Sequence, residues 1–509
     1  MRLKGRAGGP KFELAGELAA RLYDHQRDGV RWMWNLQLNN RGGILADDMG
    51  LGKTLQVAAF AAGLLRSKAA KRVLVLAPTT LLPHWGKEFI VAGLKEGVNL
   101  HRFAGGGSKT DRDKALSKVL THGGVLLTTY GMVTHNATGR GSIVAGQDLP
   151  DGGTGLSWDW VVCDEGHKLK NPNAQLPRKI RTIPASYRLI ITGTPIQNHL
   201  AELWALYDLC CPGLLGDEVE FRREYSKKIG LGQSRDATQR QREAGARASD
   251  ELRTKCRPFM LRREKSSVLA KAAADEAGTT SGEESNETAA AAAHAPSQLG
   301  SKNDLIVWLP LRPAQRRLYQ QFLKSGPVRA ALNKTGSALS AINVLKKICD
   351  HPALCCAITG ASAADAAASS TFTRSPSKSP GGSKSADLGG DPSASGKAAF
   401  LMDMLRHLAS NGHRTLVFSQ SRAMLDVLEK AAAAEGHKLV RIDGNVPADE
   451  RHARVERFQS DASIPLALLT SQVGGLGLTL TAADRVVIYD PSWNPASDSQ
   501  SVDRAYRIG

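Results

Sequence analysis

Eight short apolar runs, four near the start of the chain and four near its end, constrain the fold more than any other feature. VLVLAP (73–78), GVLLTTY (124–130), WVVCDE (160–165) and RLIITGT (188–194) come first. After a long interval follow TLVFSQ (415–420), KLVRIDG (438–444), LALLTS (466–471) and RVVIYDP (485–491). Each run is continuously apolar and ends in polar or glycine-containing residues. Strands read this way when both faces are covered, as in a parallel sheet flanked by helices; a sheet open to water on one side would alternate. The expected fold class is therefore α/β, with two parallel-sheet units and helical insertions. Ligands of such sheets bind at the carboxyl ends of the strands, where the polar residues of these runs fall.

Two stretches differ in composition from their surroundings. Residues 270–300 and 359–397 are rich in Ala, Ser, Gly and Pro and poor in large side chains, so burial cannot offset the entropy of ordering them. They are expected to be mobile insertions. The sequence then divides into an extension (1–19), a first α/β unit (20–212), a helical protrusion (213–269), a low-complexity linker (270–300), a second protrusion (301–358), an insertion (359–397) and a second α/β unit (398–509).

Charge narrows the choice of partner. Lys and Arg number 67 against 49 Asp and Glu in 509 residues, a formal charge of +18, so the surface should attract a polyanion. Nucleic acid fits better than an anionic membrane, because no run approaches the roughly 20 apolar residues that span a bilayer. Seven cysteines without CxxC pairs do not make a disulfide framework and fit a reducing compartment. Cys349, His351, Cys355 and Cys356 lie within eight residues and have zinc-ligand chemistry. Structural zinc sites usually draw ligand pairs from two separated knuckles, so packed thiols are the better reading.

Chemistry concentrates in ILADDMGLGKTLQ (44–56). A phosphate loop needs inward-pointing N–H groups, a helix start behind them and a lysine for the β and γ oxygens. Gly50 and Gly52 let the backbone approach, Lys53 brings charge and the Thr54 hydroxyl can ligate Mg²⁺. The strict GxxxxGK[ST] pattern fails, because Asp47 stands where it wants glycine. A glycine turn capping a helix remains an alternative on this loop alone. The acid pair Asp164 and Glu165 at the end of WDWVVCDE shifts the balance: Asp164 would hold Mg²⁺ through water, and Glu165 would orient and deprotonate the attacking water. Gln500, Arg504 and Arg507 share one face of a helix by their spacing, and two guanidiniums there suit a developing phosphate charge; a surface basic stripe is the bland alternative.

The segments LYDHQRDGVRWM, DDMGLGKT, LAPTTLLPHW, LTTYGMV, DEGH, ITGTPIQN, FMLRREKSSV, RIDGNVPADERHARVERFQ, TSQVGGLGLTLTAADRVVIYDPSWNP and DRAYRIG, in this order, resemble the motifs of the SWI/SNF-type DNA-dependent ATPases of helicase superfamily two. SKNDLIVWLPLRPAQRRLYQQF, VLKKICDHPALC and TLVFSQSRAMLDVLE resemble the Cockayne syndrome B relatives within it, above all their excision-repair-cross-complementing-6-like branch. That family's phosphate loop lacks the first glycine, so Asp47 ceases to be an objection.

The resemblance implies two RecA-like lobes and a cofactor set of ATP and Mg²⁺, with the nucleotide held by Gln26 at the adenine edge and by Asp47, Asp48, Met49, Gly50, Leu51, Gly52, Lys53 and Thr54. It implies Thr54 and, through water, Asp164 at the Mg²⁺, Lys53, Asp164 and Glu165 in catalysis, and Arg504 and Arg507 as arginine fingers from the second lobe. His167 would couple the acid pair to a DNA-binding strand, and Thr192, Gly193 and Thr194 would sense phosphate. DNA contacts are expected at Pro78, Thr79, Thr128, Thr129, Ser419, Gln420 and residues 471–477, while Trp493 can stack or pack, packing being the better reading. The implied partner is double-stranded DNA, bare or within chromatin, and the implied compartment the nucleus. DEGH and ITGTPIQN argue against an RNA helicase, whose acid motif reads DEAD or similar. The expected activity is ATP-driven translocation on duplex DNA without strand separation; a nucleosome remodeller and a non-hydrolysing scaffold are the alternatives. The chain stops at Gly509, inside a motif that normally runs on as RIGQ, so a fragment is expected, and Ser375 before Pro376 is a weak candidate kinase site.

Overall fold

The computed structural model describes residues 1–6, 8–104, 108–135, 158–193, 200–268, 270–271, 302–355, 391–474, 480–503 and 505. Most of both low-complexity stretches, Cys356, Thr194 and the Ser375 site lie outside these residues. The described chain forms two compact units, one up to residue 271 and the other from residue 302.

The first unit opens with a short antiparallel pair, β1 (Arg2–Leu3) and β2 (Phe12–Glu13). Its main sheet holds β3 (Gly43–Leu45), β4 (Arg72–Ala77), β5 (Leu100–Phe103), β6 (Gly124–Thr129), β7 (Trp158–Cys163), β8 (Ala185–Ile191) and β9 (Met260–Leu261). The spatial order is β5-β6-β4-β7-β8-β3-β9, and every pairing is parallel. The four apolar runs of this half form β4, β6, β7 and β8, with β4, β6 and the body of β7 buried on both faces, as their unbroken hydrophobicity requires. Met260–Leu261, in a stretch assigned by sequence to the protrusion, adds an edge strand beside β3.

Two apolar cores cover the faces of this sheet. One contains Leu74, Leu126, Val161, Ile190 and the helix Leu200–Cys210; the other holds Val75, Leu127, Val162 and the helix Lys53–Arg66. The amino-terminal residues join the second core: the Phe12 ring lies 5.8 Å from that of Phe60 and 5.5 Å from that of Trp34, and Phe60 meets Trp160 edge-on at 5.2 Å. Such aromatic pairs add to the area they bury.

The second unit carries β10 (Thr415–Ser419), β11 (Leu439–Ile442), β12 (Leu466–Thr470) and β13 (Arg485–Ile488), in the order β11-β12-β10-β13 and all parallel. These are the four apolar runs of the carboxyl-terminal half, covered on both faces by separate cores. The helices Pro313–Leu323, Gly326–Leu332 and Ala338–Asp350 close a further small core around Phe322 and Ile348. His351 engages both ring nitrogens, Nδ1 with the Ala353 amide at 3.1 Å and Nε2 with the Asp391 carbonyl at 3.0 Å. Among the described residues no group of three or more His, Cys, Asp or Glu is placed to hold a metal, and no helix is long and apolar enough to cross a membrane.

Candidate functional site

Three adjacent strands of the first sheet, β7, β8 and β3, bring their carboxyl ends to one edge. The segment after β3 is the glycine loop. Gly50 has φ of 87° and Gly52 φ of 70°, the left-handed region that a side chain disfavours. Gly52 is also the residue before the helix Lys53–Arg66, so the first free N–H groups of that helix follow directly. A Cβ on Gly52 would stand 2.2 Å from Gln26 Nε2, which fixes how closely the first turn of the helix Asp24–Leu38 approaches the loop.

Lys53 Nζ donates to the carbonyls of Asp47 at 2.6 Å and Asp48 at 2.9 Å. Burial pulls this ammonium below the ordinary lysine range, and the charges of Asp47, Glu165, Asp164 and Asp48 partly restore it. Thr54 follows on the same helix, half-buried.

At the end of β7, Asp164 is buried and its carboxylate is held from two sides. Oδ2 accepts from Trp85 Nε1 at 2.8 Å and Oδ1 from the Glu165 amide at 2.8 Å, while the Tyr130 hydroxyl donates to the Asp164 carbonyl. Burial, then the neighbouring Glu165 charge, push the Asp164 carboxyl above the usual carboxylate range. Glu165 adopts φ 53° and ψ 54°, a left-handed conformation that costs a non-glycine residue about 1–3 kcal/mol. His167 Nδ1 lies 3.1 Å from Glu165 Oε2, which places the histidine of DEGH beside the acid pair. After β8, a Cβ on Gly193 would come within 3.0 Å of Met49 Cγ, so this turn sits against the glycine loop, and Thr192 donates its amide to the Leu45 carbonyl at 3.1 Å.

Several expected contacts fall differently. Asp47 is fully buried and stands behind the loop: its carboxylate accepts from Arg263 Nε at 2.9 Å, the Arg263 amide at 3.1 Å and Gln56 Nε2 at 3.3 Å. The Asp48 carboxylate accepts from the Lys265 amide at 3.1 Å. The side chains of both acids are thus committed to the segment after β9, and their part in the loop is played by backbone. The Gln26 amide also works within the fold, its oxygen accepting from the Tyr23 amide at 3.1 Å and its nitrogen reaching the Leu51 carbonyl at 3.5 Å.

Among the expected DNA contacts, Thr79 is exposed at the end of β4, whereas Pro78 and Thr128 are buried, the Thr128 hydroxyl donating to the Phe103 carbonyl. Thr129 Oγ1 accepts from the Met132 amide at 3.2 Å. In the second unit Ser419 is buried and the Gln420 amide is held by Asp490 at 3.0 Å. A buried hydroxyl already bonded within the fold is a poor phosphate donor. Trp493, expected to pack, is 64% exposed, with Lys346 Nζ 5.5 Å above its ring. Arg504 and Arg507 lie outside the described residues, as do residues 475–477 and the Gln500 side chain.

Trp85 and Arg263 were given no role from sequence, although both sit inside quoted motifs, LAPTTLLPHW and FMLRREKSSV. A tryptophan in the helix Leu82–Val91 after β4 and an arginine just after β9 were the available signals, but their partners are 79 and 216 positions away.

The SNF2-related domain family matches residues 25–278, and the helicase conserved C-terminal domain family matches residues 396–509. The chain is 43% identical to Protein CHROMATIN REMODELING 24 of Arabidopsis thaliana over 98% of its own length and 44% of that protein. It is 41% identical to DNA excision repair protein ERCC-6-like of Homo sapiens over 97% of its length and 39% of that protein. The chain therefore spans less than half the length of these curated relatives. A solved Sulfolobus solfataricus SWI2/SNF2 ATPase core in complex with dsDNA is 24% identical, covering 96% of this chain and 85% of that one, with a TM-score of only 0.41. An SNF2-related domain followed by a helicase C-terminal domain, together with relatives above 40% identity along almost the whole sequence, makes this chain a member of the SWI/SNF-type helicase superfamily two.

Proposed function

We propose that this chain is the motor core of an ATP-dependent translocase on double-stranded DNA, one that remodels the duplex or displaces bound proteins without separating its strands. The observation that supports this best is the meeting of three strand ends. The glycine loop with Lys53, the Thr192–Gly193 turn and the Asp164–Glu165 pair converge there, with Lys53 desolvated in the field of both acids. Magnesium-bound ATP, when held there, supplies the phosphoanhydride whose hydrolysis drives movement.

Lys53 and the amide groups at the helix start suit the phosphate oxygens, and Thr54 and Asp164 suit the hydrated metal, since Mg²⁺ commonly takes one or two carboxylates and keeps several waters. Glu165, fixed in its left-handed conformation, is the residue to orient and deprotonate water. Arg504 and Arg507 are assigned by family resemblance to complete the charge on the phosphate being transferred. By the same resemblance the chain belongs to the excision-repair-cross-complementing-6-like branch, acts on DNA bare or in chromatin, and works in the nucleus.

ATP hydrolysis measured with and without duplex DNA tests the proposal. Stimulation of about tenfold or more by duplex DNA, little by RNA, and loss of about a hundredfold or more in Lys53→Ala are the expected results. Equal hydrolysis by the wild type and Lys53→Ala would leave a DNA-binding scaffold. ATP-dependent unwinding of a plain duplex in a strand-displacement assay would contradict translocation without separation.

A further inference from the structure

Arg263 lies just beyond the edge strand β9, far from the glycine loop in sequence, yet most of its polar contacts go to the loop and its supports. Nε donates to Asp47 Oδ1 at 2.9 Å, Nη2 donates to Gln56 Oε1 at 2.9 Å and also pairs with Asp47 Oδ2, and Nη1 donates to the His25 carbonyl. Its backbone takes part as well: the amide donates to Asp47 Oδ1 at 3.1 Å and the carbonyl accepts from the Asp48 amide at 2.9 Å.

One guanidinium thus ties the start of the helix that carries Gln26, the acid at the root of the glycine loop, and the second turn of the helix that begins at Lys53. The Arg263 side chain is 16% exposed and that of Asp47 0%, so water screens this pair little. Space has been kept for it: a Cβ on Gly29 would fall 1.9 Å from Gln56 Oε1 and 3.2 Å from Arg263 Nη2. The link to the reacting end is short, because the backbone carbonyl of the clamped Asp47 is the one that receives Lys53 Nζ at 2.6 Å.

We propose that Arg263 is a positioning residue for nucleotide binding: through Asp47, Gln56 and the His25 carbonyl it fixes the glycine loop and Lys53 relative to the adenine-side helix. This rests on the proposal that the loop binds ATP. Geometry and not charge alone is required, because a fork that donates along several directions into a fixed cage cannot be replaced by the single ammonium of lysine.

The test titrates a fluorescent ATP analogue against wild-type chain, Arg263→Lys and the neutral pair Asp47→Asn/Arg263→Met, with unfolding midpoints and the KM and kcat of DNA-stimulated hydrolysis recorded for each. The expected result is an affinity weakened about tenfold or more in Arg263→Lys. KM for ATP should rise more than kcat falls, with the folded fraction unchanged at the assay temperature. The neutral pair, which removes the Asp47 and Arg263 charges together and leaves Asp164, Glu165 and Asp48 as the charges facing Lys53, should fold and still bind the analogue weakly. Wild-type affinity in Arg263→Lys, or recovered affinity in the neutral pair, would overturn the proposal and reduce Arg263 to a counter-ion; if Arg263→Lys does not fold, the neutral pair alone decides. Failure of the wild type itself to bind the analogue would instead remove the ATP site on which the inference rests.

Discussion

At the scale of single residues, the candidate site is an arrangement of backbone as much as of side chains. Gly52 must take a left-handed φ of 70° and must also leave room for the Gln26 amide, two demands that any added methyl group violates together. Gly52→Ala is therefore expected to weaken ATP binding by about tenfold or more while leaving the rest of the first core folded. Titration of the nucleotide, with circular dichroism as the control on folding, checks it. Glu165 accepts a similar backbone conformation without being glycine, so its carboxylate is aimed at the expense of local strain. Gly52, Lys53, Asp164 and Glu165 were legible because each belongs to a local pattern whose spacing encodes a turn or a strand end. Trp85, which donates to Asp164, and Arg263, which clamps Asp47, were not, because no periodicity announces a partner brought close by sheet order. The bonds that Gln26, Asp47 and Thr128 make within the fold were not legible for a related reason: composition shows that a group can bond, not whether the fold already uses it.

At the scale of elements, unbroken hydrophobicity located β4, β6, β7, β8 and β10 to β13, and the residues that close them carry the informative chemistry. β3 and β9 are not legible because three and two residues are too few to establish a pattern, and β5, no shorter than β11 and β13, because His101 and Arg102 interrupt its apolar run. The turn after β13 shows what a strand end can conceal. Asp490 is buried, both of its oxygens accept from the Gln420 amide at 3.0 Å, and burial with the nearby Asp350 charge pushes its pKa up to about 6. An unfolded aspartate titrates near 3.9. Between those values the folded chain keeps a proton that the unfolded chain has released, so this residue's contribution to stability falls as pH rises, by about 3 kcal/mol across the window. Asp490→Asn stays neutral throughout. Its unfolding free energy relative to wild type should thus rise by about 2 kcal/mol between pH 4.5 and pH 7, the part of the shift that falls in that interval. Urea denaturation of both proteins at the two pH values measures it, and a constant difference would show that Asp490 ionises normally in the fold.

At the scale of the whole molecule, the proposed association with DNA would, at a formal charge of +18, be largely an exchange of counterions. Affinity for duplex DNA should fall steeply and almost equally for unrelated sequences as salt rises, by about a thousandfold or more between 50 and 200 mM if six or more phosphates are neutralised. A fluorescence-anisotropy titration across that range checks it, and a flat dependence would mean that basic groups do not carry the contact. Net charge, motif order and the doubled α/β pattern were all legible in the sequence. Which hydroxyls remain available to a phosphate was not, since that depends on bonds formed inside each sheet's rim. The contact between Asp47 and Arg263 closes over 216 positions of chain, which has a bearing on biosynthesis. A ribosome adding roughly 5–20 residues per second needs about 10–40 s to cover that distance. For that interval the nascent amino-terminal portion carries an acid destined for burial without the cation that will neutralise it, so the lobe can complete its pocket only once residue 263 has emerged, and a polypeptide released before that point would keep the acid unmatched and be a client for chaperones.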